Sequence, residues 1–109
     1  MLKKLLLAWL LSAAAGAQPD LGQIRLPQGF KLELYARVPG ARHLGMAPDG
    51  TLFVGTTGDK VYAVTPQRKV HELASGLNCP NGVAYADGSL YVCEIQRLSR
   101  IKNVLAQLG

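Results

Sequence analysis

Read as a pattern of apolar and polar positions, the chain is a succession of short period-two runs separated by turn residues. Phe30-Lys31-Leu32-Glu33-Leu34-Tyr35-Ala36 alternates apolar and polar residues and predicts a strand with one buried face. Val38-Pro39-Gly40 interrupts it. His43 to Ala47 forms a second run, stopped by Pro48-Asp49-Gly50, whose Asp and Gly tolerate the backbone of a tight hairpin. Thr51 to Gly55 is the returning strand, Thr56 to Asp59 a turn, Lys60 to Val64 a third strand, and Lys69 to Ala74 a fourth. Together these predict an antiparallel meander.

The chemistry then recurs. Asn81 to Val92 repeats His43 to Val54, with the two Asp-Gly turns at Asp49 and Asp87 lying 38 residues apart. Each turn is followed by a small hydroxyl residue, Leu, an aromatic and Val. A third-strand candidate follows in both halves, Val61 to Val64 and Leu98 to Ile101. A period near 40 with about four short strands per unit is that of a β-propeller blade. Helical repeats of this period require long 3.6-periodic stretches, and the sequence has none. The expected fold is all-β, a partial β-propeller of about two blades, with units at about 29–76 and 77–109.

Residues 1–17 have a different character. Lys3 and Lys4 precede an apolar run from Leu5 to Ala15 broken only by Ser12, and Ala15-Gly16-Ala17 has the small-x-small form that a signal peptidase cuts. This predicts a signal-peptide helix removed after Ala17, and a periplasmic or secreted location. The run is shorter than the roughly 20 apolar residues a membrane span needs, so no stable span is expected after cleavage. Residues 18–28, with Pro19 and Pro27, read as an irregular lead-in. Removing Lys3 and Lys4 brings the formal charge of +5 to about +3, and the remaining cations are scattered singly. Clustered basic residues among aromatics, the mark of a nucleic-acid surface, are absent, so no nucleic-acid partner is expected.

Export makes a disulfide between Cys79 and Cys93 chemically accessible. If 82–86 and 90–94 pair as a hairpin, however, Cys93 faces Gly82 and Cys79 lies three residues beyond, about 10 Å of extended chain. Bridged Cα atoms lie within about 7 Å. Two single buried thiols are expected, and a bridge requires Pro80 to turn the chain back.

Several stretches resemble a known family. They are Leu26-Pro27-Gln28-Gly29-Phe30-Lys31-Leu32, Ala47-Pro48-Asp49-Gly50-Thr51-Leu52-Phe53-Val54-Gly55, and above all Gly76-Leu77-Asn78-Cys79-Pro80-Asn81-Gly82-Val83 with Leu90-Tyr91-Val92. Together they resemble the N-terminal part of the glucose/sorbosone dehydrogenase family. Cys79 stands where an apolar residue such as Met is expected, and Cys93 where Ala is expected. The resemblance implies a six-bladed propeller that holds pyrroloquinoline quinone (PQQ) and calcium and acts as an oxidoreductase on a sugar, polyol or aldehyde. It also implies that the catalytic histidine lies beyond Gly109, since neither His43 nor His71 matches its motif. This chain by itself is then expected to bind neither group and to be catalytically incompetent.

In a propeller the loops entering the first strand and leaving the second of each unit face the channel. These are Gly40 to His43, Gly55 to Asp59, Leu77 to Asn81 and Cys93 to Arg97, which makes Arg42, Asn78, Asn81, Glu94 and Arg97 the candidates for cofactor contact. Arg42 and Arg97 suit an anionic carboxylate, yet solvated arginines have the same look. Asn81 before Gly82 also suits a structural turn. His43 lacks an orienting carboxylate in sequence, and Glu94 stands alone. No phosphate loop, nucleophile elbow or paired carboxylates are present. Two other readings stay open: an exported, non-enzymatic NHL-like propeller that binds a partner, and a lactonase-like calcium hydrolase with Glu94 as the one acidic ligand candidate. Two units alone would expose apolar flanks and strand edges, so self-association is expected.

Overall fold

A computed structural model describes residues 21–108. The chain divides between Leu34 and Tyr35 into two units. The described part of the first, residues 21–34, holds one short 3-10 helix at Leu21–Gln23 and is otherwise irregular. The predicted leader and its cleavage site lie outside the described residues. No helix among the described residues is long and apolar enough to cross a membrane.

The predicted strand over Phe30–Ala36 does not form. Phe30, Leu32 and Leu34 are 71%, 39% and 40% exposed. Alternation gives a strand an apolar face, but a lone strand leaves its backbone groups unpaired, and no ladder partner lies beside this one among the described residues.

The second unit is all-β and built of two antiparallel sheets. The first has four strands in sequence order: β1 (Ala41–Met46), β2 (Leu52–Thr56), β3 (Val61–Val64) and β4 (Val70–Ala74). The second has three: β5 (Gly82–Ala86), β6 (Ser89–Cys93) and β7 (Leu98–Ile101). A fourth strand does not follow. The chain instead turns at Asn103 (φ 49°) into a 3-10 helix, Val104–Leu108, which buries Val104 completely.

The two Asp-Gly turns are alike in sequence and different in form. At Asp87-Gly88 both residues have positive φ (50° and 80°) and Ala86 pairs directly with Ser89, the two-residue hairpin loop of a type I′ turn. At Pro48-Asp49-Gly50 only Gly50 has positive φ (93°), and the loop is one residue longer. There the Asp49 carboxylate accepts from the Thr51 N–H (2.9 Å) and hydroxyl (3.0 Å) and holds the loop shut.

The sheets stack face to face, with β5 lying over β1 and β2. Gly45 and Gly55 make the close approach feasible. A Cβ at Gly45 would meet the Val83 carbonyl oxygen at 3.3 Å, and one at Gly55 would meet that of Asn81 at 2.4 Å. Between the sheets Phe53, Val61 and Ala63 pack on Val83, Leu90 and Val92, and the Phe53 and Tyr85 rings stack at 5.8 Å. The opposite face of the first sheet carries Leu44, Leu52, Val54 and Val64. Tyr35, Ala36 and Val38 lie across it as a strap and leave an apolar groove of about 220 Å³. The Arg68 guanidinium, 4.5 Å from the Tyr35 ring centre, pins that strap.

Candidate functional site

Three of the loops nominated by the sequence are joined to one another in a chain of backbone hydrogen bonds, and Gly40 is tied to the same chain. The Thr57 N–H donates to the Gly40 carbonyl (3.1 Å), Leu77 N–H to Asp59 (3.0 Å), Cys79 N–H to Gly58 (3.1 Å) and Ile95 N–H to Asn78 (3.2 Å). Asp59 also receives the Gly76 N–H on its carboxylate (3.1 Å). A shallow open depression of about 430 Å³, lined by Gly40, Thr57, Asp59, Lys60 and Tyr62 among others, lies beside this seam. None of the five sequence candidates lines it.

Asn78, Glu94 and Arg97 come together at one point. Glu94 is 5% exposed, directly after β6, and its carboxylate accepts from four donors. These are the Asn78 N–H (2.9 Å), both the Nε and Nη2 of Arg97, and the Ser99 hydroxyl (3.3 Å). The Asn78 side-chain amide reaches Gln96 Oε1 at 3.0 Å. The Arg97 hydrogen bonds, then the Asn78 N–H, hold the Glu94 carboxyl below its ordinary pKa, and burial opposes them. Glu94 in turn raises Arg97. The group works as a clip that fastens the Leu77–Asn81 loop to the β6–β7 hairpin.

Arg42 and Asn81 stand apart from the clip. Arg42 is exposed on β1. Asn81 closes a tight turn through its N–H to the Cys79 carbonyl (2.8 Å), and its own carbonyl lies against Gly55. His43 has a structural role, its Nδ1 accepting from the Val83 N–H at 3.3 Å. Cys79 and Cys93 are both free. They are not buried as expected: Cys79 is half-buried in the strained left-handed region (φ 49°), and Cys93 is exposed on the outer face of β6. Ser99 was not nominated from the sequence. Its place two residues beyond Arg97 becomes meaningful only once β7 pairs with β6 in the Val92–Ser99 register.

This donor set does not fit an anionic quinone or calcium. The Glu94 oxygens are saturated, the Arg97 guanidinium is engaged with Glu94, and no group of three or more His, Cys, Asp or Glu side chains gathers among the described residues. Glu94, buried and held ionised, is also placed to fasten rather than to trade protons.

The described chain is thus a protein of two stacked antiparallel meanders. It is similar to an uncharacterized protein of Borreliella burgdorferi, with 28% identity over 100 residues, which cover 90% of this chain and 26% of that one. The chain therefore spans about a quarter of that relative's length. No family model and no solved structure matches.

Proposed function

We propose that this chain forms the opening two blades of an exported β-propeller of the glucose/sorbosone dehydrogenase kind, which oxidises a sugar, polyol or aldehyde with PQQ and calcium. The observation that carries the reading is the stacking of two consecutive up-and-down sheets with the first strand of the second, β5, lying over the first strands of the first. Blade-on-blade packing in a propeller has this arrangement. The dehydrogenase assignment draws on the resemblance around Leu26 to Leu32 and Gly76 to Val83. The match to a quarter of a longer relative supports a role as part of a larger protein. Because the donors of the clip are spent on one another, the quinone and calcium would be held by residues other than Asn78, Glu94 and Arg97, to which the clip contributes scaffold.

The test is a dye-linked oxidation assay on protein produced with whatever coding sequence follows Gly109, supplied with PQQ and calcium. Sugar- or aldehyde-dependent dye reduction is expected there and not with residues 18–109 alone. A longer protein that neither binds PQQ nor reduces dye overturns the reading. N-terminal sequencing of exported material, expected to begin at Gln18, tests the periplasmic or secreted location.

A second reading, the NHL-like binding propeller, draws on the same saturated clip: polar loop residues that only brace one another suit a scaffold for a partner. Binding of a partner without PQQ binding by the longer protein distinguishes it. The calcium-hydrolase reading is weakened by the clip, since Glu94, its one ligand candidate, is already saturated.

A further inference from the structure

Phe30 to Leu34 has the residues of a strand and no strand beside it. Phe30, Leu32 and Leu34 alternate with Lys31 and Glu33, and a turn closed by the Phe30 N–H on the Pro27 carbonyl (3.2 Å) sets the start of the run. All five residues are exposed, and none enters a ladder among the described residues. An extended backbone presents its N–H and C=O groups in a row, and this one adds an apolar side chain at every second residue. One kind of partner satisfies both at once. The open edge of another sheet supplies the ladder, and the packing around that sheet covers the apolar side.

The run passes without a break into the strap. Leu34 is followed directly by Tyr35, which with Ala36 and Val38 lies on the face of the first sheet turned away from the second. On that face Leu44 and Met46 are 57% and 65% exposed in spite of the strap. The strap thus links an unpaired strand to an apolar face that is itself uncovered. In a ring of sheets stacked in chain order, the second sheet takes one face of the first. The face with Leu44 and Met46 is left for the sheet made last, where the ring returns to its start. The matched stretch is 26% of the longer relative, a length with room for further sheets at the 38-residue spacing of the Asp-Gly turns.

We propose that Phe30 to Leu34 is a donated strand: it pairs along an edge of the last sheet of the longer protein, and that same sheet seats on Leu44 and Met46. The inference rests on the proposed ring of sheets and not on its quinone chemistry. Pairing of this kind fastens the beginning of the chain to its far end. It buries Phe30, Leu32 and Leu34 on one side and keeps Lys31 and Glu33 in water on the other. Elsewhere the first two sheets hold each other by their packed faces, whereas this junction gains ladder hydrogen bonds as well. The Tyr35 ring, with the Arg68 guanidinium 4.5 Å from its centre, is the anchor from which the strand extends.

The test is hydrogen exchange read by mass spectrometry on peptides covering 30–35, in residues 18–109 and in the protein extended through the coding sequence that follows Gly109. Exchange is expected to be fast in the shorter chain and about a hundredfold slower or more in the longer one. Leu32→Glu should lower the urea midpoint of the longer protein and leave that of the shorter unchanged, and Lys31→Glu should alter neither. If Leu32→Glu keeps the longer protein from folding, exchange in the unsubstituted protein still decides. Fast exchange at 30–35 in the longer protein, equal losses from Leu32→Glu in both chains, or a coding sequence that stops at Gly109 overturns the proposal. So does protection in the shorter chain that grows with concentration, which makes a second copy the partner. Protection in a longer protein that neither binds PQQ nor reduces dye sinks the dehydrogenase assignment alone. Dye reduction with 30–35 unprotected sinks the donated strand alone.

Discussion

Gly55 shows how one residue fixes the distance between the sheets. Its backbone needs no unusual φ, so glycine stands there for space alone: an added Cβ falls within 2.7 Å of the Asn81 carbonyl carbon and of the Pro80 oxygen. Gly55→Ala is therefore expected to cost about 1–3 kcal/mol as the loop is forced away, measured by urea unfolding. Gly45→Ala, whose nearest contact is 3.3 Å, should cost less. A reversed order would mean the sheets do not meet at Gly55. Glu94 adds a pH dependence. Its folded pKa lies below the ordinary 4.5, so the clip stabilises fully above that value and is lost as pH falls through the depressed one. Glu94→Gln should lower the unfolding midpoint at neutral pH, and the gap from the unsubstituted protein should close as pH drops below about 4.5. A gap constant from neutral to acid pH would show that the charge is not what holds the loop.

The hairpins differ in what keeps them closed, although both read Asp-Gly. In the first, Asp49 works through its carboxylate, and Asp49→Ala removes two charge-assisted hydrogen bonds to Thr51 at a cost of about 1–3 kcal/mol. In the second, Asp87 works through its backbone at φ 50°, a conformation glycine adopts without strain. Asp87→Gly is expected to leave the urea midpoint unchanged or slightly raised. Equal losses at the two sites would show that the turns are of one kind. The irregular Phe30–Ala36 belongs to the same scale: its Phe30 to Leu34 stretch alternates apolar and polar residues, whereas β2 is a continuous apolar run, yet only β2 has ladder partners.

Across the second unit the core is shared, so neither sheet has an interior of its own. Phe53, fully buried and stacked on Tyr85, contributes to both sides of the interface. Phe53→Ala should cost about 3–5 kcal/mol. A unit the size of Tyr35–Gly109 has about 4–11 kcal/mol in all, so the variant should be largely unfolded or close to it. Hydrogen exchange in the unsubstituted protein should show β2 and β6 opening together. Separate protection of the two sheets would contradict a common core.

Much of the second unit was legible in the chain itself. Val61–Val64 and Leu98–Ile101 are strands as read, and the expected Gly82–Cys93 pairing is present, because period-two runs bounded by Gly, Pro and Asp leave little freedom in element type. Asn78, Glu94 and Arg97 were nominated from loop position, and they do meet. Their employment was not legible, because whether a carboxylate is open to a ligand depends on donors such as Ser99 that only the β6–β7 register brings to it. The sequence alone determined the strands, the turns and the recurrence of the hairpin. Tertiary structure decided that Phe30–Ala36 lacks a partner, that Cys93 is exposed, that Glu94 is spent, and which sheet faces remain open. Strand type follows from local alternation, whereas burial and hydrogen-bond satisfaction depend on what the rest of the chain lays against each face.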